Sequence, residues 1–495
     1  MASQEDILHA PTKGTSAGSG VTETAAHIDP AKERKMMRKF DVSLPPTKTM
    51  IYAVGCLGIL YMLANLDRSN IGNARIAGLE DDLGLEGNQY GNAVSLLYAT
   101  YVPLELPCAI LLKVIGPKYL LSFCTVAWGL ICLCTGFVQN WQGLYTCRLL
   151  LGLFEAGLIP CINVYLGMVY NKEERGKRSS VIFAFSAVSS AFGGVLAFGL
   201  TQIHTATYFK SWRALFIFEG ALTLACAPLF FFVFPKTPRT AWFLNDEEKE
   251  MMKLRYELNP YSGIDEKFTW TAVIEAFTDP KWHAFWIYQF CVDVSLYGFT
   301  TFLPSIIQGM GFVSSVDAQL MTVPVYFWGT IFFLFIAWSS DRTGNRGYWL
   351  AGPIACLIIG YAILISVEST GVRYFACFIT IMGIYPGTGL SMMWLQDNAA
   401  QHFKRATMVG GALTLGNTAG VAIFTSESGP RFIKGLSISL GLAVVALAMV
   451  ASLMVGMAAA NRRRAAKLRE ASEAGRPIRP RPEKGDMDIH FVYGL

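Results

Sequence analysis

Apolar stretches of about 20 residues recur along the chain between short polar connections, and each is long enough to cross a hydrocarbon core of about 30 Å. Windows of about 19 residues place six spans in the first half, at roughly 50–68, 90–112, 119–138, 142–169, 180–202 and 213–234. Six more follow at roughly 284–307, 318–338, 348–367, 373–396, 406–426 and 436–458. Between the sets lies a polar stretch of about 45 residues that begins PKTPRTAWFLNDEEKEMMKLRYEL and separates two halves with equal numbers of spans. The pattern predicts an all-α membrane protein of twelve transmembrane helices. Its parts are a polar, disordered N-terminal segment over 1–48, a first half over 49–235, a central loop over 236–282, a second half over 283–460 and a tail over 461–495.

Composition supports the membrane reading. Of 495 residues, 53% are hydrophobic and only 16% charged, outside the balance of a soluble domain. The net charge of +5 is small, and the basic residues cluster beside apolar segments, so nucleic-acid binding is not indicated. Lys32, Arg34, Lys35, Arg38, Lys39 and Lys48 precede the first span, Lys172, Arg175, Lys177 and Arg178 fill the fourth connection, and Arg462, Arg463 and Arg464 open the tail. With twelve spans all of these fall on one side, which the positive-inside rule makes cytoplasmic, with both termini inside. The first connection carries Glu80, Asp81, Asp82 and Glu86 and fits the opposite face. Residues 1–48 hold no cleavable apolar core, so the first span is expected to direct insertion. The basic, Pro-containing tail from Asn461 is expected to be mostly disordered. Eleven cysteines lie mostly in apolar segments and read as buried free thiols, without a metal-binding grouping. The six histidines are scattered with no paired motif, which argues against a membrane-embedded enzyme.

Several charges sit where water is scarce. Arg148 and Glu155 lie within WQGLYTCRLLLGLFEAGLIPCINVYLGMVY, where an isolated charge costs at least a few kcal/mol. Seven residues apart on a helix, they are turned by about 700°, lie within about 20° of one face and are roughly 10 Å apart. Such a pair suits a cavity in which a cation holds an anionic ligand and a carboxylate takes up a proton. The first span ends LANLDRSNIGNARIAG, placing Arg68 at a depth comparable to Arg148, and two cations across a cavity repel unless an anion lies between them. Static Asp67–Arg68 and Arg148–Glu155 ion pairs are the structural alternative. Glu105, between Pro103 and Pro107, suits a gating or packing role, because a proline-kinked helix frees backbone groups. Glu219 in WRALFIFEG reads as structural. Gln289, Asp293 and Tyr297 recur every four residues and form a polar stripe facing a cavity. Tyr385, Pro386 and Gly387 interrupt the tenth span, Asn417 lies in a glycine-rich eleventh span whose Gly416 and Gly420 allow close packing, and Tyr98, Tyr297 and Trp394 could wall a ligand. In AWSSDRTGNRG, Asp341, Arg342 and Arg346 could latch two helices in one state.

Taken together, LDRSNIGNA, RLLLGLFEAGLIP, WRALFIFEG and AWSSDRTGNRG resemble landmarks of the major facilitator superfamily, within it the anion:cation symporter family and especially its fungal allantoate-permease branch. Ala337 replaces the first glycine of the superfamily loop pattern, KVIGPKYL in the first half lacks its acid, and Cys161 stands where relatives often have glycine. The resemblance spans nearly all of 50–458. It implies two six-helix bundles built from inverted repeats around a central site open to either side in turn. It further implies that Arg68 and Arg148 engage the carboxylate of an organic anion and that Asp67 and Glu155 are protonatable. The expected function is proton-coupled symport of a small carboxylate-bearing nutrient such as a vitamin-like acid or a ureide. The alternative is export of an acidic metabolite, or drug-type antiport. No cofactor beyond the coupling proton is expected, and the protein is expected to be a monomer in the lipid bilayer of the plasma membrane.

Overall fold

The computed structural model describes residues 32–33, 36–37, 53–170, 172–201, 210–235, 241–258, 270–311, 315–399, 404–405, 407–408, 423, 431–475, 478 and 482–495. Apart from a few positions, the N-terminal segment over 1–48 and the eleventh span, with Asn417, lie outside them.

In the first half the apolar stretches become α1 (Ala53–Ala74), α2 (Gln89–Ile115), α3 (Pro117–Thr135), α4 (Trp141–Glu155), α5 (Leu158–Val169), α6 (Lys172–Thr201) and α7 (Ser211–Val233). α4 and α5 are one membrane crossing broken at Ala156 and Gly157, where Pro160 removes a donor and its ring would meet the carbonyl of Ala156. The connecting stretch holds α8 (Asp246–Leu258) and α9 (Trp270–Thr278). The second half contains α10 (Pro280–Gln308), α11 (Ser315–Thr343), α12 (Arg346–Ser366), α13 (Thr370–Asp397) and α14 (Ile433–Glu473). Among the described residues nine crossings are long and apolar enough to span a membrane; α1 and α2, of 22 and 27 residues, are as long. Large apolar side chains such as Phe123, Phe232, Phe327, Trp338 and Val455 point outward, as a lipid-facing surface requires.

Within the first half α1 packs on α6 and α7, α3 on α7, and α2 on α4. In the second half α12 packs on α13 and α14, and α10 on α14. The halves meet through α6 against α11 and α1 against α10. Two glycines show how close these approaches are: a Cβ on Gly152 would overlap the Leu97 carbonyl of α2, and one on Gly72 the Thr301 carbonyl of α10.

The tail departs from the expected disorder. α14 continues for 41 residues to Glu473, because its extension NRRRAAKLREASE consists mostly of strong helix formers. Residues 482–495 then fold back on the second half: Arg464 donates to the Phe491 carbonyl at 2.7 Å, and Trp394 Nε1 to the Gly494 carbonyl at 2.8 Å. Buried Tyr493 and partly buried Phe491 supply the apolar anchor that the basic composition of the tail concealed.

Candidate functional site

Asp67 and Arg68 are consecutive on α1, so their side chains leave the helix about 100° apart and serve different neighbours. Arg68 turns toward α2 and α4. Its Nε donates to Glu155 Oε1 at 2.5 Å, an Nη donates to the Tyr101 hydroxyl at 3.4 Å, and the guanidinium lies 4.8 Å from the Tyr101 ring centre. Asp67 turns toward α3, where the Cys132 thiol donates to Oδ1 at 3.1 Å and Oδ2 has no partner. Arg148 is only 2% exposed, with its guanidinium 5.5 Å from the Phe216 ring, and its Nε and Nη2 have no hydrogen-bond partner. Glu219 on α7 is fully buried with neither carboxylate oxygen partnered. Carboxylate oxygens of Asp67 and Glu219 and the Cys132 sulfur lie within 4.8 Å of one another.

The ion pairing is therefore crossed relative to the two static pairs considered from sequence. Glu155 joins Arg68 rather than Arg148, and Arg148 lies within electrostatic reach of Asp67 and Glu219. A seven-residue separation leaves Arg148 and Glu155 two turns apart, so each takes the partner available at its own depth.

Across the interface, the Tyr297 ring of α10 stands edge-on to Tyr98 of α2 at 5.4 Å, placing it beside Arg68. One turn away, Gln289 Nε2 donates to Asp293 Oδ1 at 2.7 Å and Gln289 Oε1 accepts from Ser391 at 2.7 Å, while Asp293 Oδ2 has no partner. Tyr385 packs on Gly329 and faces Tyr61 and Ser190 of the first half. Glu105 is buried within electrostatic reach of Arg68 and Asp293, so it lies at the centre rather than at an end. Trp394 does not wall this centre; it holds the folded-back tail.

At the face carrying Asp341, Arg346 bridges two carboxylates, Asp341 at 3.0 Å and Asp397 at 2.6 Å, and lies against Gly176 of α6. Arg342 is exposed, rests over Trp338 at 5.6 Å and takes no part in this bridge. Asp397 was not singled out from sequence, although an acid at the end of the tenth span was a usable signal. Nearby, Gln396 of α13 donates to Asn163 of α5 at 2.9 Å across the two halves. At the opposite face Asp82 accepts from Trp212 Nε1 and Arg213 Nη2, both at 3.0 Å, and pairs with Lys210. Burial pushes the Asp82 carboxyl up, but these donors outweigh it and hold it below the usual carboxylate range. The WRALFIFEG motif thus braces that face through Arg213, which also donates to the Gly136 and Val138 carbonyls.

The family model of the Major Facilitator Superfamily matches residues 57–425. The high-affinity nicotinic acid transporter of Saccharomyces cerevisiae is 38% identical over 93% of this chain and 85% of its own length. The major facilitator-type transporter hxnP of Emericella nidulans is 32% identical over 94% of this chain and 93% of its own. Among solved structures, an inward-facing, occupied bacterial homolog of the human lysosomal transporter Spinster superposes with a TM-score of 0.59 at 15% identity. That match covers 81% of this chain and 95% of the other, a likeness of fold.

Proposed function

The chain belongs to the Major Facilitator Superfamily of membrane transporters, and from that premise we propose that it carries a small organic anion across the membrane together with a proton. The observation that carries this reading is Arg148: a guanidinium 2% exposed, with two nitrogens lacking partners among the described residues, while Arg68, the other buried arginine of the first-half cluster, is already paired with Glu155. A buried cation left short of partners costs several kcal/mol unless a ligand completes it, and a carboxylate matches its fork.

In the proposed cycle the substrate carboxylate engages Arg148 and Arg68. Protonation of Glu155 releases Arg68 from its internal counterion, so proton and anion load together, and deprotonation on the other side restores the Arg68–Glu155 pair and expels the substrate. Tyr98, Tyr101, Tyr297 and Asp293 line the path beside Arg68. Rocking of the halves would exchange contacts at one face, Gly72 against the Thr301 carbonyl, for those at the other, Asn163 with Gln396. The clustering of Lys and Arg supports an orientation with the Asp341 face toward the cytoplasm, in a plasma-membrane protein driven by the inward proton gradient. The nicotinic acid transporter relative makes a pyridine carboxylate the first substrate to test.

The test is uptake into proteoliposomes of labelled nicotinate and a panel of organic acids, with the interior made alkaline. Accumulation that collapses when the gradient is dissipated, and that Arg148→Ala abolishes, is the expected result. No response to any organic acid would overturn the anion assignment, and undiminished gradient-driven accumulation in Glu155→Gln would remove that residue from the coupling step.

A further inference from the structure

Beside the arginine–glutamate pair the first half holds a second acidic centre that the cycle above leaves without a task. Asp67 on α1 and Glu219 on α7 bring carboxylate oxygens within 4.8 Å of each other, and both residues are at most 1% exposed. Among the described residues Asp67 Oδ2 and both Glu219 oxygens lack a hydrogen-bond partner, and the single donor to the pair is the weak thiol of Cys132 on α3. The charged or titratable groups facing them are Cys132, Arg148 from α4, and, through Asp67, Arg68 and Glu155. Tyr90 of α2 faces Arg148 from its other side. Arg148 lies within electrostatic reach of both carboxylates but is not hydrogen-bonded to either.

We propose that Asp67 and Glu219 form a second protonation site, in which one proton is shared between the two carboxyl groups and travels with the substrate. Two carboxylates this close in a medium without water cannot both stay ionised with nothing between them. Either a cation bridges them or a proton does. The same chain shows the first solution at its Asp341 face, where Arg346 sits between Asp341 and Asp397. Among the described residues no guanidinium occupies that place at the Asp67 centre, which leaves a proton as the bridge in this proposal. Proton and Arg148 then compete for the same acid pair: with the proton in place Arg148 is free for a substrate carboxylate, and once the proton leaves, Arg148 moves between Asp67 and Glu219 and gives the substrate up. Counted with the Glu155 proton of the proposed cycle, two protons accompany one monoanion, so each turn of the cycle carries one net positive charge. Glu219, read from sequence as structural, becomes a coupling residue in this scheme.

The inference rests on the anion-transport reading, so two readouts separate them. The first is infrared spectroscopy of the purified full-length protein at neutral pH, which needs no substrate: a protonated-carboxyl band is expected in the wild type and lost in Asp67→Asn and in Glu219→Gln alike. A band unchanged in both variants, or removed by only one of them, overturns the shared proton. The second compares nicotinate counterflow at equal pH with accumulation driven by a pH gradient. Glu219→Gln should keep counterflow within about threefold of wild type and lose gradient-driven accumulation at least tenfold, with Glu219→Asp recovering part of it. Gradient-driven accumulation at wild-type level in Glu219→Gln overturns the coupling role. Absence of nicotinate counterflow in the wild type itself would count against the substrate reading while leaving the infrared result to decide the proton site.

Discussion

Two buried charge clusters of this protein have nearly the same exposure and opposite degrees of completion. At the base of the second half, Lys404 pairs with Asp279 at 2.8 Å and with Asp486 at 2.9 Å, while Lys281 pairs with Asp486 at 2.5 Å. Two cations meet two carboxylates, and Lys404, Asp279 and Asp486 are each 1–2% exposed. In the first half, Asp67, Arg148 and Glu219 are buried as deeply, yet among the described residues none of the three forms a close ion pair like those of Lys404 and Lys281. Breaking a buried pair by removing one partner costs about 3–5 kcal/mol, so a standing deficit of this kind marks a place where a ligand or a proton would be stabilising. The complete network holds elements together; the incomplete one is where the proposed function seats a proton and an anion.

Arg68 offers the most severe way to break that contrast, since it is the one member of the first-half cluster with a firm counterion. Arg68→Ala leaves Glu155 buried and unpaired, which should lower stability by about 3–5 kcal/mol, visible as a lower melting temperature in detergent. Arg68→Lys keeps the charge but not the fork that reaches Glu155 and Tyr101 together, so it should fold, with nicotinate uptake down roughly a hundredfold. Wild-type uptake in the lysine variant would show that the first-half cluster is as structural as the second.

The bridge at the Asp341 face tests the contrast from the other side. Arg346→Gln leaves Asp341 and Asp397 facing each other beside α6, which should bias the two halves toward the state open on that face. A bias of about 1–3 kcal/mol changes a two-state equilibrium about 5- to 150-fold. Nicotinate binding measured by calorimetry should change far less than the transport rate. Arg342→Gln, at an exposed arginine outside the bridge, should leave both within about twofold. If the two variants behave alike, the bridge does not control the exchange between states.

Much of this was legible in the chain because hydrophobic length and buried charge are local signals. The spans followed from runs of apolar residues long enough for the membrane, and Asp67, Arg68, Arg148 and Glu155 stood out as charges with no water near them. The pairing was not legible, because it depends on helix rotation and relative depth: two neighbours on α1 serve different helices, and Glu155 bonds to a residue 87 positions away. Glu219 gave the same sequence signal as a structural carboxylate, and only its distance from Asp67 across two helices distinguishes it. The tail misled because its basic composition signals disorder, whereas its docking depends on Asp486 and Tyr493 meeting Lys281 and Arg464.

The tail itself provides the mildest test. Burial pushes the Asp486 carboxyl up, but Lys281 and Lys404 outweigh it and hold it below the usual carboxylate range. For Lys404, burial works to lower its proton affinity, yet Asp486 and Asp279 hold it above the usual lysine value. A depressed carboxyl contributes stability above its unfolded value of about 3.9 and loses it as pH falls through the folded value; a raised lysine contributes below about 10.4 and loses it as pH rises through its own. Docking of residues 482–495 should therefore be firm across neutral pH and loosen at both extremes, read as faster amide exchange around Tyr493. Asp486→Asn should produce the same loosening at neutral pH. Because the undocked tail lets Lys281 regain water, the stability loss should stay near 1–3 kcal/mol, and nicotinate uptake should stay within about twofold of wild type. A large fall in uptake would instead mean that a complete network at the base of the second half also governs the incomplete one in the core, since the tail touches α10, α13 and α14 at once and could transmit such a constraint.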